Sequence, residues 1–382
     1  MNRKRKIIRK QHGGNMSKIK VGRKRIRILG IILVILALGA LIFWFVMRYQ
    51  MGIIPKMTLN EMIAYTTKGK EEARITIGTI KDGQVTITVY GKDGAVLPEQ
   101  AYDYEIGSLT KTFTSSLLCK AIEEEKVALT DSIGLYLPLS DNPYYPSLKR
   151  IVTHTSGYKG YYWEWQMAAN FFHRQENDFY GISETSLLKK VEAISLKDKD
   201  YSFRYSNFGI SVIGAVLEQV YHKSYTELMN EFIQDDLKLL NTRISDGTGN
   251  LSGYWNWEEE DAYLPAGGLI SDIYDMLDYA RIHMTEQIPY LALSHQKIAD
   301  INATTKQYGK MGIRMDAAGI CWMIDEENNI IWHNGGTSHF NSYLGFDKDK
   351  QMAVVVLSNM APGYRIPATV MGARLMKELQ SQ

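Results

Sequence analysis

Ser108 and Lys111 stand three residues apart in "EIGSLTKTFT", residues 105–114, where an apolar run with helical spacing begins. Residues three apart share one face of a helix. A serine hydroxyl is a weak nucleophile until a neighbouring base takes its proton. A desolvated lysine can lose its own proton near neutral pH. A serine at a helix start also leaves its N–H free to meet a developing oxyanion. The pair could therefore carry acyl transfer. The spacing alone is common: Ser-x-x-Lys starts at Ser17, Ser108, Ser156, Ser186 and Ser294, and Tyr-x-Asn at Tyr205 and Tyr254. Context separates the matches. Only Ser108 follows a strand pattern and opens a long apolar helix. Tyr205-Ser206-Asn207 comes later, between "YSFR" and a helix, and His333-Asn334-Gly335-Gly336 closes the strand-like "NNIIWHN". Taken singly, Tyr205 reads as a half-buried strand-end tyrosine, Asn207 as a helix cap, His333 as a surface histidine and the glycines as a turn. Taken in order, they read as a nucleophile, a tyrosine–asparagine pair and a basic edge strand.

The elements that must position these residues are legible in outline. "ARITIGTIKDGQVTITVYGKDG" alternates apolar and polar residues around "KDG", which predicts a β-hairpin. "SLTKTFTSSLLCKAIEEEK" predicts a helix. "SNFGISVIGAVLEQVYHKSYTELMNEFI" predicts two helices broken near His222–Ser224, and "DIYDMLDYARIHM" another, capped by Ser271 or Asp272. The last sixty or so residues return to strands, with "DEENN" as a turn, before a final helix over about 365–379. Strands at both ends and helices between predict an α+β fold: one antiparallel sheet made by the two ends, flanked by helices, with an inserted mainly helical subdomain.

Charge is unevenly placed. Residues 1–27 hold twelve Lys/Arg and no acid, so the remainder carries 32 basic against 42 acidic residues, a net of −10. "ILGIILVILALGALIFWFVM", residues 28–47, has no charge, and at about 1.5 Å per residue it is long enough to cross a hydrocarbon core of roughly 30 Å. It is longer than a signal-peptide core, and no A-x-A-like site follows it. The expected order is a basic cytoplasmic tail (1–27), a single transmembrane anchor (28–48), a linker (49–57) and a domain (58–380) on the outer face of the cell membrane. Nucleic acid is excluded as the tail's partner by the adjoining apolar run. Cys119 and Cys321 both sit in apolar runs and read as buried thiols, although an outside location permits a disulfide. No H-x-x-x-H or H-E-x-x-H spacing and no phosphate-cradling loop occur, so neither metal nor cofactor is expected.

Residues 58–380 resemble the class C β-lactamase, penicillin-binding protein and DD-peptidase family of serine hydrolases, through "YEIGSLTKTFTS", "LKRIVTHTSGY", "RYSNFGISVIGAVLEQVYHKSYTELM", "LPAGGLISDIYDMLDYARIHM" and "HNGGTSHFNSYLGFDKDKQMAVVVLSN" in that order. The resemblance implies the β-lactamase/transpeptidase-like fold and assigns roles. Ser108 is the acylated nucleophile and Lys111 assists in taking its proton. Tyr205 is the general base, its pKa lowered by nearby positive charge. Asn207 holds the substrate amide. His333, Gly335, Gly336 and Thr337 form the substrate-binding strand. The N–H groups of Ser108 and Gly336 make the oxyanion hole, and Gly335 keeps the strand edge open to substrate. His154, in "THTSGY", is expected to pack or hydrogen-bond.

His333 stands where many members carry lysine. A histidine is mostly neutral at pH 7, which implies weaker capture of a substrate carboxylate and so weaker β-lactamase activity. The expected substrate is a D-alanyl amide or ester of the cell envelope, a peptidoglycan stem peptide or a D-alanylated teichoic acid. The alternatives are a small-molecule esterase, a weak β-lactamase, or a penicillin-binding sensor that does not turn over. "GYKGYYWEWQMAANFFHRQENDFYG" gathers Tyr158, Tyr161, Tyr162, Trp163, Trp165, Phe171 and Phe172. This stretch reads either as core of the helical part or as a wall of the substrate groove or a membrane-facing surface.

Overall fold

A computed structural model describes residues 52–142 and 144–382, with Ile31, Val34 and Gly39. The basic tail and nearly all of the expected anchor lie outside the described residues. Among those described, no helix is long and apolar enough to cross a membrane. The chain divides into two compact units, Met1–Lys56 and Met57–Gln382. The second unit carries Ser108, Tyr205 and His333.

Helix α1 (Leu59–Thr67) opens on a capping box in which Thr58 and Glu61 satisfy each other's backbone N–H. Strands β1 (Ile75–Lys81) and β2 (Gln84–Tyr90) form the expected hairpin, with Lys81 opposite Gln84. The two loop residues, Asp82 and Gly83, both have positive φ (51° and 75°), the twist a tight hairpin needs. Near the other end of the chain lie β3 (Ile330–Gly336), β4 (Asn341–Asp347) and β5 (Met352–Ser358). β5 pairs antiparallel with β1, Ile75 opposite Ser358, so the two ends of this unit meet in the middle of one nine-stranded sheet. Every residue of β4 and β5 is buried. This explains the unbroken apolar "AVVVL": both faces of the sheet are covered.

Between the ends, helices α2 (Thr110–Glu123), α3 (Asn207–Tyr221) and α4 (Ile273–Met284) supply the buried helical part. Helix α3 stops where expected: His222 takes φ 55° and Ser224 starts the next helix through a capping box with Glu227. Asp272, not Ser271, caps α4 by accepting from Asp275 N–H. The final helix α5 (Ala368–Gln380) packs on β4 and β5, while α4 packs against the opposite face through Ile273 and Leu277 over β1. Cys119 and Cys321 are both buried and free.

The core reading of the aromatic stretch fails for most of its rings. Tyr158 is buried, but Tyr161 is 58% exposed, Trp163 53%, Trp165 79%, Phe171 75% and Phe172 80%. Helix Trp165–Phe172 buries only Met167 and Asn170. Ring count alone cannot assign the buried face of a helix whose apolar residues occur on every side.

Candidate active site

Ser108 sits on a 3₁₀ turn, Gly107–Leu109, that leads into α2. Gly107 has φ 52°, and a Cβ built there would lie 2.5 Å from Gly336 N. Glycine is thus required twice, by conformation and by the close approach of β3. One helical turn on, Lys111 is fully buried. Its Nζ lies 2.9 Å from Ser108 Oγ and 2.5 Å from the carbonyl oxygen of Ala266. Burial pulls its pKa from 10.5 down to about 7, with Cys321 opposing only weakly. As an ammonium Lys111 donates to both oxygens; once it loses a proton, one N–H still donates to Ala266 and the lone pair can accept from the serine hydroxyl.

Tyr205 presents its ring 5.1 Å from Lys111 Nζ, 4.6 Å from the His154 ring and 6.0 Å from the His333 ring. Its hydroxyl is buried and makes no hydrogen bond. Burial raises its pKa well above the ordinary phenol value, and the nearby Ser108 hydroxyl offsets only part of this. The expectation of a lowered tyrosine pKa is corrected accordingly. In the free site Tyr205 keeps its proton, and Lys111 is the group able to take one.

His333 is buried, with Nδ1 2.7 Å from the carbonyl oxygen of Asn334. The proton therefore sits on Nδ1, and the Nε2 lone pair is left buried without a partner. Burial, then the neighbouring Lys111, bring its pKa down to about 3, so His333 is neutral throughout the physiological range. His154, at φ 58°, has the other tautomer. The Ser206 N–H donates to its Nδ1 at 3.3 Å, so Nε2 carries the hydrogen and is also unpartnered. Burial holds it well below the ordinary histidine value. Ser206 caps α3 by accepting from Gly209 N–H at 2.8 Å. This leaves the buried Oδ1 of Asn207 free of any partner.

β3 pairs with strand Met323–Asp325 only over Ile330–Trp332, so its backbone from His333 onward has a free edge on that side. Gly335 does not keep that edge open as expected. A Cβ there would stand 1.8 Å from the carbonyl oxygen of Ile106, so glycine is needed to seat the nucleophile turn. Ser342 donates to the same oxygen at 2.7 Å. Gly336 brings its backbone against Gly107, beside Ser108. Thr337 also departs from its expected substrate role: its hydroxyl is buried and donates to Glu105 at 2.6 Å.

Glu105 is the residue that sequence reasoning missed. Its buried carboxyl accepts from Thr337 and, at 2.6 Å, from Trp255 N–H. Burial pushes its pKa up to about 7. The available signal was an acid inside an otherwise apolar strand, three residues before the serine. Trp255 Nε1–H donates to Ser338, which donates to the carbonyl of Glu176, and His339 lies 2.6 Å from the Glu176 carboxylate. One chain of contacts thus ties the residues after β3 to two loops of the helical part.

The structure therefore gathers Ser108, Lys111, Tyr205, Asn207, His333 and Gly336, and places Gly335 and Thr337 behind them as support. Around the Ser108–Lys111 pair stand four polar atoms with no partner among the described residues: Tyr205 Oη, Asn207 Oδ1, His333 Nε2 and His154 Nε2. Buried polar atoms ordinarily find partners, so a cluster of orphans beside the Ser108–Lys111 pair is a place for a polar ligand.

A sequence profile of the Beta-lactamase family matches residues 73–370. Among curated relatives, Protein flp of Staphylococcus aureus (strain MW2) is 21% identical over 312 residues, covering 75% of this chain and 59% of its own length. The chain thus spans about three fifths of the flp sequence. Beta-lactamase of Pseudomonas fluorescens is 23% identical over 329 residues, covering 75% of this chain and 88% of its own. Among solved structures, the octameric penicillin-binding protein homologue from Pyrococcus abyssi superposes with a TM-score of 0.66 at 20% identity, over 84% of this chain and 76% of that one. The beta-lactamase/D-alanine carboxypeptidase from Yersinia pestis gives 0.64 at 18% identity, over 87% and 98%. At these identities the structural likeness is one of fold.

Proposed function

Since the chain belongs to the Beta-lactamase family, a family of serine hydrolases, we propose that it hydrolyses D-alanyl amide or ester bonds of the cell envelope through a Ser108 acyl-enzyme. The carrying observation is Lys111: a buried amine whose pKa is lowered to about 7, so that a large share is deprotonated at neutral pH, with its nitrogen 2.9 Å from Ser108 Oγ. As Oγ attacks the carbonyl, the serine proton passes to Nζ. The oxyanion forms against the N–H groups of Ser108 and Gly336. Collapse expels the amine or alcohol, which takes a proton from the Tyr205 hydroxyl or from Lys111. Water then attacks the ester, Lys111 or the tyrosinate takes its proton, and as the acid product leaves, Lys111 returns a proton to Ser108 Oγ.

The choice of substrate rests on the orphaned atoms. His333 is a neutral acceptor, so it offers nothing to the carboxylate of a penicillin or a C-terminal D-alanine. His333 Nε2 and Asn207 Oδ1 both need a donor, and a D-alanyl ester supplies one in its free ammonium group. D-Configured substrates also appear in the names of solved structures of this fold, a D-alanine carboxypeptidase and a D-stereospecific amidohydrolase from Streptomyces sp.. Residues 28–48 are proposed to anchor the enzyme in the cell membrane with the domain outside.

D-Alanine release by residues 57–382 tests this reading, with D-alanylated teichoic acid and a D-Ala-D-Ala stem peptide offered side by side and Ser108→Ala as control. The expected result is release from the teichoic acid that Ser108→Ala abolishes. Release from the peptide alone would make it a carboxypeptidase, and release that survives Ser108→Ala would reject Ser108 as nucleophile.

A further inference from the structure

The aromatic rings around helix Trp165–Phe172 are held outward by built contacts. Trp163 and Trp165 pack edge to face with centroids 4.5 Å apart, and Phe171 and Phe172 do so at 5.8 Å. Trp165, Ala168, Ala169 and Phe172 share one helix face. Behind them Asn170 is buried, and its side-chain N–H groups donate to the carbonyls of Asp178 and Tyr180 at 3.1 and 2.8 Å. Gln166 donates to Asn170, and Lys190 donates to the Trp163 carbonyl. The side facing the protein is thus fixed by polar contacts, while the apolar side has no partner among the described residues. Two exposed pairs of large apolar rings at the two ends of one short helix mark an interaction surface.

We propose that this surface docks on a lipid bilayer, the aromatic rings entering the head-group layer beside the membrane that holds residues 28–48; this rests on the anchor reading above. Tryptophan and phenylalanine are the side chains suited to that layer, with apolar bodies and, for tryptophan, a polar edge. The chargeless run ends at Met47, ten residues before the folded unit begins at Met57. Even fully extended, that many residues span no more than roughly 36 Å. The bilayer is therefore always within about one domain's reach, and weak docking is converted to an intramolecular event. Arg174 follows the rings and is exposed, which suits an anionic surface. The same segment runs on to Glu176, which meets Ser338 and His339 just past β3. Docking would thus hold the cleft close to membrane-linked substrate.

The test is tryptophan quenching by doxyl-labelled phosphatidylcholine, using full-length chain in phosphatidylcholine/phosphatidylglycerol nanodiscs. Of the seven tryptophans, Trp44 reports the anchor, and Trp163 and Trp165 report docking. Wild type is expected to lose the emission of roughly three of the seven, and Phe171→Ser/Phe172→Ser only that of Trp44, with its D-alanine release from soluble substrate and its melting temperature unchanged. Equal quenching in wild type and Phe171→Ser/Phe172→Ser, with Trp44 quenched in both, would overturn docking and leave the anchor standing. If Trp44 is not quenched, the anchor reading fails. Co-flotation of residues 57–382, which hold every residue of the core, with vesicles of the same composition then decides: flotation lost in Phe171→Ser/Phe172→Ser sustains docking, and no flotation overturns it. A dimer in sedimentation that dissolves on the same double substitution would also overturn it, in favour of self-association.

Discussion

Replacing Lys111 by methionine should abolish acylation and yet stabilise the protein, by an amount that depends on pH in a defined way. Burial lowers the lysine pKa from 10.5 in the unfolded chain to about 7 in the fold. Below pH 7 both states are protonated, and the folded state bears the full cost of a buried ammonium, about 5 kcal/mol. Between pH 7 and 10.5 the unfolded chain binds more protons than the folded one, so wild-type stability rises with pH. At pH 9 the remaining cost is about 2 kcal/mol. Methionine fills the same space without charge. It forfeits the contacts of Nζ to Ala266 and Ser108, worth roughly 1 kcal/mol each. Lys111→Met is therefore expected to exceed wild type by about 3 kcal/mol at pH 6 and to match it at pH 9. Urea unfolding of residues 57–382 at the two pH values reads this difference. Comparison with wild type at each pH cancels every group other than Lys111. A stability difference that does not change between pH 6 and 9 would refute the buried neutral amine, and with it the assignment of Lys111 as base.

The same geometry fixes other outcomes. Labelling of Ser108 by a fluorophosphonate should rise about tenfold from pH 6 to pH 8, as Lys111 loses its proton around 7; a flat profile contradicts this. Glu105→Gln cannot ionise, whereas burial raises the Glu105 pKa from 4.5 to about 7. Wild-type stability is present at low pH and lost as pH rises through 7, so relative to Glu105→Gln it should fall by roughly 3 kcal/mol between pH 4 and 8 in denaturant titrations. Gly335→Ala places a Cβ 1.8 Å from the Ile106 carbonyl oxygen, and should cost about 1–3 kcal/mol and most of the acylation rate by shifting the nucleophile turn; a thermal melt and the labelling assay check both. His333→Lys introduces a cation beside the free edge of β3. It should shift kcat/KM toward substrates ending in a carboxylate and lower the melting temperature, and an unchanged preference would disprove the neutral-acceptor reading of His333.

The pieces that were legible in the sequence are those written in local chemistry. The hairpin was readable because Asp82-Gly83 can take positive φ and the flanking residues alternate. The break after α3 was readable because Ser224 and Glu227 form a capping box within four residues. The order Ser108, Tyr205, His333 carried the family likeness, since each sits at a recognisable junction of strand, turn and helix. What only the tertiary structure decided concerns desolvation and partners brought from afar. Lys111 has its pKa lowered toward neutrality because the surrounding core excludes water from it. His333 becomes a neutral acceptor because its own backbone takes the Nδ1 proton and burial forbids a second one. Gly335 and Thr337 turn out to support the site because Ile106 and Glu105, more than two hundred residues earlier, lie against them. The aromatic stretch faces outward because Asn170 is fixed inward by the carbonyls of Asp178 and Tyr180, on the loop that folds back beneath the helix. Periodicity and turn chemistry are properties of neighbours along the chain, whereas a pKa, a tautomer or an exposed face is set by whatever the fold places across from it.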